Sequence, residues 1–120
     1  VLNAQGARVV ATDEYRDIEA ALATQSGPML VHQGRIPDAP AFRSKSRHVR
    51  NGVCAQSSSA VTFAISDAPV TFQEFASFFR AWLGCSEALY LDGSISSLYA
   101  PALDRADAHA KLGPMFAVAE

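Results

Sequence analysis

The sequence predicts an α+β domain: a mixed β-sheet with one main helix, about residues 71–83, packed on it, and two hairpins before that helix. Three observations carry this. The stretch Val70 to Gly84 (VTFQEFASFFRAWLG) contains a helix start, an apolar face and a stop. The runs before it alternate apolar and polar residues with turn residues between them. After it, the apolar run Ala88 to Leu91 ends abruptly in Asp92-Gly93.

Taken in order, Ala7 to Thr12 reads as a short strand. Thr12-Asp13 can cap a short helix in which Tyr15, Ile18 and Leu22 share a face, and Ser26-Gly27-Pro28 breaks it. Met29 to His32 and Arg35-Ile36 form a hairpin about a tight Gln33-Gly34 turn, and Pro37 to Pro40 opens a loop. Arg50 to Cys54 alternates as a strand, with Arg50, Gly52 and Cys54 on one face and Val49 and Val53 on the other. Gln56 to Ser59 turns it into a half-buried strand through Val61, Phe63 and Ile65. In the helix, Thr71 is the N-cap with Glu74 three residues on, a capping box. Phe72, Phe75, Ala76, Phe79 and Leu83 line one face, widened by Phe78 and Trp82, and Gly84 supplies the left-handed stop. An aromatic stripe at this spacing is core packing before it is a sugar platform. Tyr99 to Pro101 and Asp104 to His109 read as a polar loop with up to one helical turn. Met115 to Val118 reads as a last strand returning to the sheet beside the Asp92 strand.

At 120 residues the chain makes one domain. A hydrophobic content of 49% with 18% charged residues fits a globular protein, and the net charge of −2 argues against nonspecific nucleic-acid binding. No apolar run is long enough to span a bilayer. The first residue is Val and no signal peptide is visible, so a processed or truncated chain is expected. Cys54 and Cys85 permit one disulfide, and two buried free thiols satisfy the same sequence. Neither cysteine has a His at metal-ligand spacing, so no metal and no cofactor are implied.

The candidate chemistry gathers at Glu87 to Pro101 (EALYLDGSISSLYAP), where a buried strand delivers Asp92 to its tip. Gly93 allows a sharp turn and close approach to a ligand, and Ser94, Ser96 and Ser97 offer hydroxyls and backbone N–H groups. As a calcium loop the pattern fails, because Ser97 and Leu103 stand where Gly and Glu are needed. As a hydrolytic triad it fails too, because no Ser is flanked by Gly on both sides. The plain structural alternative is an Asp that shapes a turn by capping Ser94 and Ser96. Upstream, Arg43, Lys45, Arg47, His48 and Arg50 concentrate basic side chains. The first three read equally well as a solvated face. Arg50 differs, since it shares its face with Gly52 and Cys54 over low, open backbone, where a bidentate anion clamp fits.

The stretch Leu91-Asp92-Gly93 with its small residues and Ser96-Ser97 pair resembles the LDGGGSS signature of the phosphodiester glycosidase family, with Ser94 and Ile95 in place of the second and third glycines. Ala23 to Val31 (ATQSGPMLV), Arg50 to Cys54 (RNGVC) and Val70 to Cys85 agree with it, so the resemblance runs from about Ala7 to Glu120. It is nearest to the bacterial, secreted or periplasmic branch, which raises the expectation of a Cys54–Cys85 bridge. It implies that the chain is the C-terminal part of a larger domain whose N-terminal half is missing here. The activity implied is hydrolysis of a small-molecule or glycan glycosyl-1-phosphodiester. Arg50 would clamp the phosphate and Asp92 would act at the sugar as nucleophile, base or hydroxyl acceptor. Ser26, Gly27, Asn51, Gly93, Ser96 and Ser97 would contact substrate. Because the leaving group is a phosphate monoester, such a site needs positive charge and N–H donors more than a second, protonating carboxylate. Two other classes stay open: a non-catalytic carbohydrate- or cell-wall-binding module, and a subunit active only with a partner chain. A fold lacking its N-terminal half is expected to show an open sheet edge and to self-associate or recruit the missing segment.

Overall fold

The computed structural model describes residues 1–16 and 19–118. A small ribbon, β1 (Leu2–Asn3) with β2 (Gly6–Ala7), opens the chain. Then come β3 (Met29–Val31), the short helix α1 (Pro40–Arg43), β4 (Asn51–Ser57) and β5 (Ala60–Ile65). Helix α2 (Phe72–Ser77) runs on into a π-helical turn (Phe78–Trp82) and leads to β6 (Ala88–Asp92). A second ribbon, β7 (Tyr99–Ala100) with β8 (Arg105–Ala106), follows around a 3-10 turn. The main sheet has the order β3-β6-β4-β5, so β6 is interior to it. Within the α+β class its strand pairs are antiparallel.

Helix α2 forms where its caps dictate. The Thr71 hydroxyl accepts from Glu74 N (3.2 Å), and the Glu74 carboxylate accepts from Thr71 N (2.8 Å), which satisfies two of the four orphan donors of the helix start. Gly84, at φ +65°, ends the turn that follows. Phe75, Ala76 and Phe79 pack on Leu30, Val31, Cys54 and Ala88 of the sheet. Phe78 and Trp82 do not widen this face. Trp82 is 84% exposed, because the five-residue π turn alters the angular spacing that a regular helix would have kept. The disulfide Cys54–Cys85 ties β4 to the segment between α2 and β6 inside the same core.

Register explains the other departures. Gly52 and Cys54 of β4 face α2, and their cross-strand partners are Ala64 and Thr62. That parity turns Val61 and Phe63 outward, opposite Ala55 and Val53, so they line the less covered face and not the helix side. Gly52 has no room for a side chain: an added Cβ would lie 2.9 Å from Leu89 O and 3.2 Å from Phe75 Cε1. The hairpin after β3 forms with Gln33 and Gly34 both at positive φ, the requirement of a two-residue primed turn. Its returning strand is only a His32–Arg35 bridge.

Four sequence expectations are corrected here. Ala7 to Thr12 is strand only at Ala7. No helix forms over the described residues from Thr12 to Leu22: Thr12 to Glu14 is a turn, and Leu22 instead bridges Leu2, whose N–H donates to Leu22 O (2.8 Å). Ile18 lies outside the described residues. Met115 to Val118 is not a strand; the neighbour of β6 on that side is β3, and Phe116 packs its ring on Phe63 (5.1 Å between centroids). Residues 40–43, read as loop, form α1, with Phe42 buried against the Phe72 ring.

Candidate active site around Arg50 and the end of β6

Three separate stretches meet at the C-terminal end of β6. Asn51 of β4 pairs with Asp92. On the other side, Pro28 O accepts from Tyr90 N (3.1 Å) and the Ser26 hydroxyl donates to Leu91 O (3.1 Å). Gly27, joined to Pro28 by a cis peptide bond, has open space where a side chain would stand.

Arg50 is the most unusual side chain here, only 3% exposed. Its Nε donates to Val70 O (2.9 Å), Nη2 to Ser46 O (3.2 Å) and Nη1 to the Tyr90 hydroxyl (3.2 Å). The guanidinium carbon lies 4.0 Å from the centre of the Phe72 ring, a cation–π contact, and Tyr90 flanks it at 5.6 Å. All three oxygens are neutral, and among the described residues no carboxylate pairs with it. Burying a cation without a counter-anion is costly, so the surroundings are built to keep one charge in place. The His48–Val70 bridge closes the ring of partners, since Val70 O serves both His48 N and Arg50 Nε.

A cleft of about 310 Å3 opens on this guanidinium. Ser46, His48, Phe72, Tyr90, Gly93 and Ser94 line it with Arg50. Gly93 is glycine for a steric reason: a Cβ would stand 2.0 Å from the Tyr90 hydroxyl and 3.3 Å from Arg50 Nη1. Burial holds the Tyr90 phenol above its ordinary pKa; the Arg50 charge and hydrogen bond oppose this, and the nearby Asp92 charge adds to it. His48 Nε2 and the Ser46 hydroxyl share a 2.8 Å hydrogen bond at the rim.

The Asp92 carboxylate is engaged in its own loop, accepting from Ile95 N (2.8 Å) and Ser94 N (3.3 Å). The buried Ser96 hydroxyl donates to Asp92 O (3.0 Å) and the Ser97 hydroxyl to Ile95 O (3.0 Å). The serines therefore shape the loop through backbone carbonyls, and their oxygens keep acceptor capacity. Of the residues singled out in the sequence, Arg50, Gly93 and Ser94 line the cleft. Asp92, Ser26, Gly27, Asn51, Ser96 and Ser97 surround the strand end outside its lining. Asn51 Oδ1 is buried with no hydrogen-bond partner, an acceptor left unmatched. Sequence reasoning missed Tyr90, Phe72, Ser46 and His48. Tyr90 carried a signal, since it lies two residues before Asp92 on the same strand. Phe72 was read as core alone, and no pattern in the chain announces that it lies under Arg50.

Known proteins bear on this geometry. Residues 1–118 match the family described as phosphodiester glycosidase. Over 81 residues the chain is 37% identical to an uncharacterised protein, YigE, of Escherichia coli strain K12; the match covers 68% of this chain and 32% of that relative. The chain thus spans about a third of the curated relative it matches. No solved structure matches it. The match over nearly the whole chain places it in the phosphodiester glycosidase family.

Proposed function

We propose that the protein hydrolyses a glycosyl-1-phosphodiester, with Arg50 holding the phosphate and Asp92 acting at the sugar. The observation that carries this is the buried Arg50 guanidinium, ringed by neutral oxygens and open to a cleft. Its planar fork has five N–H donors, and three protein oxygens take one bond each, so donors remain for an anion in the cleft. Gly93 and Ser94 bring the Asp92 loop to the same cleft. Bond cleavage would release the sugar with a water-derived hydroxyl at its anomeric carbon and the phosphate as its monoester.

Replacing Arg50 by Lys tests the assignment. Turnover should fall about 10²–10³-fold, the loss of one preorganised donor to the transition state. Near-normal turnover in Arg50→Lys would show that Arg50 is not the clamp. Asp92→Asn removes the carboxylate while its amide oxygen can still accept from Ile95 N, at the loss of the longer bond from Ser94 N, so its melting temperature is read beside its activity. A folded Asp92→Asn variant with full activity would remove Asp92 from the chemistry.

One observation favours a second reading, a carbohydrate-binding module without catalysis: among the described residues no carboxylate lines the cleft itself. Such a module binds the phosphodiester and releases no sugar. The proposal extends to the whole protein. The relative's length supports reading this chain as part of a larger domain, and the Cys54–Cys85 disulfide supports an exported, oxidising location. Among the described residues no helix is long and apolar enough to cross a membrane.

A further inference from the structure

A second cleft, of about 330 Å3, lies across α1 from the first. Phe42 and Arg43 face it, whereas Ala41 and Ser44 line the Arg50 cleft, so this one helical turn is the wall between them. Three guanidiniums surround the second cleft, each from a different element: Arg35 from the hairpin after β3, Arg43 from α1, and Arg80 from the π turn. Asp38, also at the cleft, accepts from Arg43 through Nε (3.2 Å) and Nη2. Among the described residues Arg35 and Arg80 have no carboxylate partner. Like charges brought together by the tertiary fold repel one another, unlike a charge run on one solvated face, and an anion between them removes the repulsion.

We infer that this cleft takes a second anionic group of the same substrate, so that the substrate is an oligomer or polymer with repeating phosphodiesters. The inference rests on the reading that the Arg50 cleft takes one such group. A helix with its side chains is about 10–12 Å across, so a phosphodiester-linked saccharide chain can pass over α1 and place one phosphate in each cleft. Joined on one chain, the second contact becomes intramolecular and multiplies the affinity without any new contact type.

Calorimetry on the full chain tests this with two synthetic probes: hexose 1-(methyl phosphate), carrying one phosphodiester, and an oligomer of hexose units joined through 1-phosphodiesters. The Arg35→Ala/Arg80→Ala double variant alters two exposed side chains, and its melting temperature checks the fold. The expected result is at least about tenfold weaker binding of the oligomer by the double variant, with the single-unit probe unaffected. Unchanged oligomer binding overturns the inference, as does an equal loss for both probes. It is also overturned if an oligodeoxynucleotide of the same charge binds as tightly as the saccharide oligomer, since the cleft is then a general polyanion surface. Failure of the Arg50 reading shows separately: Arg50→Lys then binds the single-unit probe like the wild type, while the oligomer still loses affinity with Arg35 and Arg80 removed.

Discussion

Arg47 and Arg50 are three residues apart in one basic segment, and the fold treats them oppositely. Arg47 stays on the surface, where its Nη2 pairs with Glu74 (2.7 Å) and its Nη1 reaches Pro69 O. The same Glu74 carboxylate is already held by the capping box, and the Thr71 backbone bond, followed by Arg47, keeps its pKa below the ordinary range. Arg50 goes inside, stacks on Phe72 and finds only neutral oxygens. A surface ion pair adds little to stability, so Arg47 needs no ligand to explain it. A buried guanidinium without an acid does. Position relative to the sheet makes the difference, since Arg50 stands immediately before β4 and is buried there.

The sharpest break between the two is a parallel exchange. Arg50→Lys should lower turnover about 10²–10³-fold, while Arg47→Lys leaves it unchanged within error. Equal effects would erase the distinction. Next in size is Gly93→Ala. Its Cβ cannot coexist with the Tyr90 hydroxyl, and the Tyr90 ring packs against Phe72 (4.6 Å), so the phenol must leave Arg50 or the loop must shift. We expect a loss of about 1–3 kcal/mol in stability, as for overpacked sites, together with weaker phosphodiester binding. Denaturant midpoints and calorimetry on the same sample read both. Wild-type behaviour in both would mean that the Tyr90–Arg50 contact does not matter.

The smallest expected effect concerns a third kind of cation, one that titrates. His32 bonds Glu87 through Nδ1 (3.0 Å), and this bond, with the Glu87 and Glu14 charges, raises its pKa. A cation with a folded pKa above its unfolded value stabilises fully below about 6.5 and loses that contribution as pH rises through the folded value. Stability that falls slightly over that window in the wild type, and not in His32→Gln, is the expected outcome. Asp107 gives the opposite sign. Its pKa is lowered by the Leu98 N–H and then by Arg105, so its contribution is present above the ordinary carboxylate value and fades as pH falls through the lowered one.

Local signals decided what could be read from the chain. The Thr71–Glu74 capping box, the Gln33-Gly34 turn and the apolar strand into Asp92 each depend on neighbours within a few residues, and each forms. The helix expected through Tyr15 and Leu22 fails because a distant partner, Leu2, claims Leu22. Met115 to Val118 had the composition of a strand, but the place beside β6 is taken on both sides by β3 and β4, and Phe116 instead covers Phe63. At the candidate site, Arg50 and Gly93, expected from the sequence to share one pocket, both line the cleft, whereas Asp92 stands outside its lining. The Phe72 platform and the Val70 and Ser46 carbonyls were not legible, since they meet Arg50 only after β4, α2 and the segment leaving α1 pack together.

The central claim, that the buried Arg50 guanidinium is an anion clamp, is tested most directly at that side chain. The Nε–H resonance of Arg50, assigned by its loss in Arg50→Lys, can be followed by nitrogen-15 NMR while hexose 1-(methyl phosphate) is added. A saturable shift of that resonance, with an affinity matching calorimetry, is the predicted result. A probe that binds with the same affinity to wild type and Arg50→Lys, leaving the Arg50 resonance where it was, contradicts the account.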